Sequence, residues 1–262
     1  MDKCKNKGVT HNTEENKKDK NPMEGKKVVF IHDNNDQENA DGLCGHLVAV
    51  GNCEYNTGLY DRYIKRMIDI FLSGAGLIVL FPFFVAISIA IKIDDSGPIL
   101  FMQKRIGKNK KYFNLHKFRT MKMSTPHDVP THMLDNPEQY ITQVGRWMRR
   151  TSIDELPQIW DIFVGNMSII GPRPALWNQD VLVAERDRYN ANNLKPGLTG
   201  WAQINGRDEL DIATKAMMDG EYVVKESFLF DCCCFWRTFS SVFKSKGVVE
   251  GRANKKKQEK SR

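Results

Sequence analysis

The run IFLSGAGLIVLFPFFVAISIAI, Ile70 to Ile91, holds 22 consecutive residues without a charge, and it limits the folds open to this chain more than any other stretch. Wound as a helix it would be about 33 Å long, enough to cross the hydrocarbon core of a bilayer. A simple transmembrane anchor is one reading, and two features favour another. Pro82 sits near the middle, where it lacks the N–H that a helix interior needs and introduces a kink. The flanks are also basic on both sides: Arg62, Lys65 and Arg66 precede the run, and residues 92–122 hold nine Lys or Arg against two Asp. Basic flanks favour the cytoplasmic face. A crossing frustrates one flank, whereas a re-entrant helix that bends at Pro82 and returns satisfies both.

The remainder of the 262 residues has room for one ordinary domain. A formal charge of +7 and a pI near 9.0 point to acidic partners such as phosphate ligands, nucleic acid or an anionic membrane. Residues 1–59 are dominated by Lys, Asn, Asp and Glu, a composition read as disordered or loosely attached; no apolar h-region marks a secretory signal. Six cysteines, three of them adjacent at Cys232–Cys234, fit neither a disulfide scaffold nor a zinc site, and read as reduced, small apolar residues.

Downstream of the apolar run (60–95), residues 96–248 form the expected main domain, followed by a basic tail over 249–262. The pattern predicts strands at Ile99–Gln103 and Tyr112–Phe118, helices near 142–150, 153–165, 178–190 and 208–226, and a loop over Leu194–Arg207. Apolar residues at 228, 232, 235, 239 and 243 form a stripe that suits core packing or an interfacial helix. The expected fold class is therefore mostly α with a small β-hairpin.

The chemistry-bearing stretch is RRTSIDELPQIWDIFVGNMSIIGPRP, Arg149 to Pro174. Ser152-Ile153-Asp154-Glu155 fits the S-x-x-E capping box, a purely structural use of two acids in a first helical turn. The competing use is phosphorus chemistry. At a helix N-terminus Asp154 would keep a low pKa and stay ionised, as a nucleophile or a ligand to a hard cation. Arg149 and Arg173 would then neutralise phosphates, the latter pre-placed by a proline on either side. Loops typical of nucleotide triphosphatases, dinucleotide enzymes and zinc hydrolases are absent from the sequence.

These stretches, taken in order, are the proline-bearing apolar run, HKFRTM (His116–Met121), RRTSIDELPQ, GNMSIIGPRP and KPGLTGWAQINGR (Lys195–Arg207). In that order and spacing the chain resembles the bacterial sugar transferases, or monotopic phosphoglycosyl transferases, from about Tyr60 to Gly247. The resemblance implies a re-entrant membrane helix broken at Pro82 and a catalytic domain on the cytoplasmic face of a bacterial inner membrane, touching anionic lipid through interfacial helices. It implies transfer of a sugar 1-phosphate from a UDP-sugar to a polyprenyl phosphate, with release of UMP and use of Mg²⁺. Asp154 is then the expected nucleophile and metal ligand, Glu155 its partner, and Arg149 and Arg173 the phosphate holders. Lys117, Arg119, Gln203 and Arg207 are expected within or beside the site.

Phe81 and Lys195 depart from the family pattern, which commonly has serine before the proline and arginine at the second position. Carbonyls freed by Pro82 would need another partner, Ser88 or water. A homodimer is compatible with the sequence but not legible in it. Two rivals remain: a catalytically silent membrane scaffold of the same fold, and a tethered nucleic-acid binder. The latter has no recognisable binding module, so nucleic acid is not an expected partner.

Overall fold

The computed structural model describes residues 20–32, 41, 43–53, 58–125, 137–206 and 210–244. Arg207, the tail and most of the 123–142 loop lie outside them. The apolar run is part of a single helix, α1 (Lys65–Asp94), entered through a short wide turn at Tyr60–Ile64. At 30 residues it is about 45 Å long. It remains helical through Pro82, so the expected break is no interruption of the helix. Pro82 still deprives the Ile78 carbonyl of its donor one turn later. Ser88 does not supply one, because its hydroxyl donates to the Phe84 carbonyl at 2.7 Å.

Helix α1 is bound to the rest of the protein at both ends. Near its start, the buried Asp69 carboxylate accepts from Ser168 Oγ at 3.1 Å and Ile169 N at 3.0 Å. Lys65 is buried against Glu226 at 2.8 Å and Asp231 at 3.1 Å. Midway, Gly74 and Gly76 face Phe163 and Ile159. At its far end Ile87 and Ile91 pack on Phe118 and Met148. There Asp94 accepts from Val144 N at 2.8 Å, and Asp95 pairs with Arg119 at 3.1 Å. The opposite face is bare: Phe71 is 75% exposed and Ile78 78%. An apolar face of that length is unfavourable in water.

Beyond α1, strands β3 (Leu100–Ile106) and β4 (Tyr112–Phe118) pair antiparallel. They follow an N-terminal hairpin, β1 (Lys26–His32) with β2 (Gly45–Asn52). This corrects the reading of residues 1–59 as a loosely attached segment where they are described, over the hairpin; residues 1–19 lie outside the described residues. Val28 is the reason: it is 1% exposed, inside a cluster with Ile106, Ala175, Leu182 and Val183. Its N–H donates to Asp187 Oδ2 at 2.8 Å, and the same carboxylate holds the fully buried Lys110 at 2.9 Å. A local composition argument could not see partners more than a hundred residues away. Val28→Ala should cost about 2 kcal/mol. Val29→Ala, on the exposed side, should cost under about 0.5 kcal/mol. Thermal melting checks the contrast, and equal effects would mean that the hairpin is not docked.

Helices α2 (Gln143–Thr151), α3 (Gln158–Val164), α4 (Asp180–Arg188), α5 (Trp201–Gly206), α6 (Ile212–Lys225) and α7 (Phe228–Lys244) complete the domain. The expected loop over 194–207 instead contains β6 (Gly197–Thr199), parallel to β5 (Ser168–Ile170), and then α5. Gly171, Gly197 and Gly200 lie where these strands meet. A Cβ at any of them would overlap the backbone of a neighbouring glycine or its adjoining residues, so the GPRP and KPGLTG motifs can touch only as glycines. On α7 the buried face carries Asp231 and Cys234, with Phe230 beside them. Phe228, Leu229 and Trp236 point outward, so the expected stripe at 228, 232 and 235 is not the core-facing one.

Candidate active site

Helix α2 starts at Thr142, whose hydroxyl accepts from Gly145 N at 2.9 Å, and ends at Ser152, whose backbone is left-handed with φ 57°. That reversal places Ile153–Glu155 in one tight 3₁₀ turn, and α3 begins only after Pro157. Ser152 makes no side-chain cap and Glu155 does not reach back to it. The capping-box reading therefore fails, and so does a continuous helix over 153–165. The two acids stand in the turn between helices.

Glu155 Oε1 lies 2.8 Å from Lys117 Nζ and 3.1 Å from Arg173 Nη2. One carboxylate oxygen thus ties β4 to the GPRP turn across the dyad. Arg149 Nε donates to Thr120 Oγ1 at 3.0 Å, and its charge acts on Asp154. Arg119 is elsewhere in function: it is buried and holds the Asp95 carbonyl and carboxylate at the end of α1. Gln203 Nε2 donates weakly to the Leu198 carbonyl at 3.3 Å. Among the described residues its Oε1 has no partner, and no bond joins it to the dyad. Arg207 lies outside the described residues.

The two carboxylates are driven apart electrostatically. Burial would raise Glu155, but Arg173 and Lys117 outweigh it and hold the acid at about 2. Burial pushes Asp154 up to about 6, with the neighbouring Glu155 adding to the rise while Lys117 and Arg149 resist it. The expectation of a low Asp154 pKa is thereby corrected: in this turn, desolvation is larger than any helix-terminus effect. A pair so divided is characteristic of sites that use acids chemically.

Two further groups hold this geometry and were not legible in the motifs. Asp161 is fully buried on α3 and accepts from His116 N at 2.9 Å, with His116 Nδ1 at 2.8 Å. It fixes β4 against α3, and so sets Lys117 relative to Glu155; an aspartate inside the apolar stretch IWDIF was the only sequence signal. Arg105, on β3, lies close enough to Arg173 and Glu155 to feel both charges.

The family model for bacterial sugar transferases matches residues 60–245, well over half of the chain. The chain belongs to the bacterial sugar transferase family. The chain is 38% identical over 182 residues to the undecaprenyl-phosphate glucose phosphotransferase of Komagataeibacter xylinus, covering 66% of this chain and 34% of the relative. It is 37% identical over 209 residues to the UDP-glucose:undecaprenyl-phosphate glucose-1-phosphate transferase of Escherichia coli K12, covering 74% and 44%. Against the uncharacterized sugar transferase EpsL of Bacillus subtilis it is 35% identical over 192 residues, covering 71% and 91%. The chain thus spans less than half the length of the first two relatives and nearly all of the third. The β1–β2 hairpin lies before the matched region.

Proposed function

We propose that this chain transfers a sugar 1-phosphate from a UDP-sugar to a polyprenyl phosphate such as undecaprenyl phosphate, releasing UMP through a covalent aspartyl phospho-sugar. The observation that carries the reading is the divided dyad. Asp154 stands beside a permanently ionised Glu155, and Lys117, Arg149, Arg173 and Arg105 surround the two acids. Four cations against two carboxylates leave a positive excess suited to a diphosphate. The printed names of the relatives point to the same donor and acceptor classes.

In the first step an Asp154 carboxylate oxygen attacks the phosphorus that bears the sugar. A P–O bond forms to Asp154, the bond to the bridging oxygen breaks, and that oxygen leaves with UMP. In the second step an oxygen of the lipid phosphate attacks the same phosphorus. The Asp154–phosphorus bond breaks, and a free carboxylate and a lipid-linked diphosphate result. Splitting the reaction avoids bringing two anionic substrates together at once. Glu155 holds Lys117 and Arg173 in place for both steps.

The donor set also suits Mg²⁺. Among the described residues no cluster of three metal-ligating side chains occurs. A hard cation of this kind is commonly held by one or two carboxylates together with substrate phosphates, so Asp154 and the donor's diphosphate would hold it, where it supplies charge neutralisation.

The helix contacts support placing the enzyme on one face of the membrane. Polar groups at both ends of α1, Asp69 and Asp94, bond to backbone of the same domain. A helix crossing the bilayer would carry one of those ends away from it. The bare faces of α1 and α7 would meet lipid, on the cytoplasmic side that the basic flanks favour. Tags at the N-terminus and after residue 248 should both be cytoplasmic; a tag on the outer side would restore the spanning anchor.

Release of UMP from a panel of UDP-sugars with undecaprenyl phosphate tests the activity. No release from any donor, with a folded protein, would favour the silent scaffold. Exopolysaccharide production, named for several relatives, is the pathway class in which such a first membrane step belongs.

A further inference from the structure

The GPRP turn is short of internal restraint in one respect. Pro172 and Pro174 fix their own φ angles, and Pro174 restricts the backbone of Arg173. The ψ of Pro174, which decides where its carbonyl points, is not set by proline, whereas Pro174 narrows that of Arg173. Both carbonyls are held by arginines from other elements. Arg186, on α4, donates from Nη1 to the Arg173 carbonyl at 2.9 Å and is itself locked to Asp219 at 2.6 Å. Arg105 donates from Nη1 to the Pro174 carbonyl at 3.0 Å, and from Nη2 to Gln103 Oε1 at 2.6 Å. The backbone continues the restraint: Ile106 N donates to the Ala175 carbonyl at 3.0 Å, and Arg105 bridges to Leu176. The chain after the turn is thus laid along the edge of β3.

We propose that Arg105 is a positioning residue for donor recognition: by fixing the Pro174 carbonyl it aims the Arg173 guanidinium at the dyad. Donor recognition here rests on the reading of Arg173 as a phosphate-holding residue. Arg105 does not do this work by touching substrate. Both of its terminal nitrogens are engaged within the protein, and its Nε is sealed from solvent with no acceptor among the described residues. It also has no carboxylate within bonding distance among the described residues, and it lies near a second guanidinium. Burial and Arg173 together lower its pKa to about 10. A chain keeps a desolvated cation beside a like charge only where its placement serves something else. The planar fork matters as well, since a single ammonium cannot reproduce two diverging bonds in one plane.

Hydrogen exchange and donor kinetics test this in the full-length protein. Arg105→Met should accelerate amide exchange across residues 173–176 about tenfold, with global melting little changed. It should raise KM for UDP-glucose, or for whichever UDP-sugar the wild type uses, about tenfold and alter kcat less. Arg105→Lys should recover only part of that loss; full recovery would assign the effect to charge and overturn the positioning role. In an Arg173→Lys background, adding Arg105→Met should change KM less than twofold. A further tenfold loss there would mean that Arg105 acts independently of Arg173, and unchanged exchange at 173–176 would sink the proposal directly. These outcomes are separable from failure of the transferase reading, which would appear as a wild type without UMP release.

Discussion

Asp154→Asn is expected to lower sugar-phosphate transfer by about 10⁴-fold or more while raising the melting temperature by a few degrees. The loss follows from chemistry. A carboxamide of nearly the same shape has no anionic oxygen to attack phosphorus, so the proposed covalent intermediate could not form. The gain in stability follows from linkage. Asp154 titrates near 6 in the folded chain, against an ordinary aspartate value of 3.8. Between those values the native state binds more protons than the unfolded state, so stability falls as pH rises through the window, and the deficit is complete above it. Asparagine carries no such deficit at neutral pH. Initial-rate UMP release and differential scanning fluorimetry check the two halves. A variant retaining turnover within tenfold of wild type would remove Asp154 from the reaction, and a large drop in melting temperature would mean that its burial had been misread.

Glu155→Gln is expected to cost roughly 10²-fold in kcat/KM, through misplacement of groups rather than loss of a bond-forming atom. Glu155 is held at about 2, so it is ionised throughout the working range and anchors Lys117 and Arg173 through one oxygen. A neutral amide would leave two cations competing for a weaker acceptor. The same change carries a second signature. Glu155 raises the Asp154 pKa, while Lys117 and Arg149 lower it. With Glu155 neutral, the Asp154 pKa should fall. Wild-type kcat/KM should decline about tenfold per pH unit below about 6, where Asp154 becomes protonated. In Glu155→Gln that acid limb should move to lower pH although the plateau is reduced. A pH–rate profile whose limb stays in place would separate the two acids and refute their coupling.

Much of the site was readable before any coordinates. Glu155, Lys117 and Arg173, each singled out from the motifs, meet within bonding distance, and Asp154 stands within reach of the charges of Glu155 and Lys117. The β3–β4 hairpin, with β4 over the predicted Tyr112–Phe118 and β3 running on to Ile106 past the predicted Gln103, brings Lys117 opposite the dyad. Other parts escaped for identifiable reasons. Ser152 fits a capping box locally, yet it ends α2 with a left-handed backbone, and the box never forms. Val28 sits in a polar segment with no local reason to fold, and is buried by Leu182 and Val183 far along the chain. Arg119 shares a motif with Lys117 but serves the end of α1 instead. Arg105 lies outside every acidic motif and reaches the turn through strand pairing and a side-chain bond to the Pro174 carbonyl.

The linear order of residues settled what was local: an uncharged helix long enough for lipid, a pair of acids, the arginines and the proline-bounded turn. Those depend on side-chain chemistry and backbone sterics within a few positions. Folding in three dimensions settled how far apart the two acids titrate, which cations face them, and that one helix is fastened to a single domain at both ends. Desolvation and Coulomb attraction depend on distances between groups remote in sequence, and only the packed chain sets those distances.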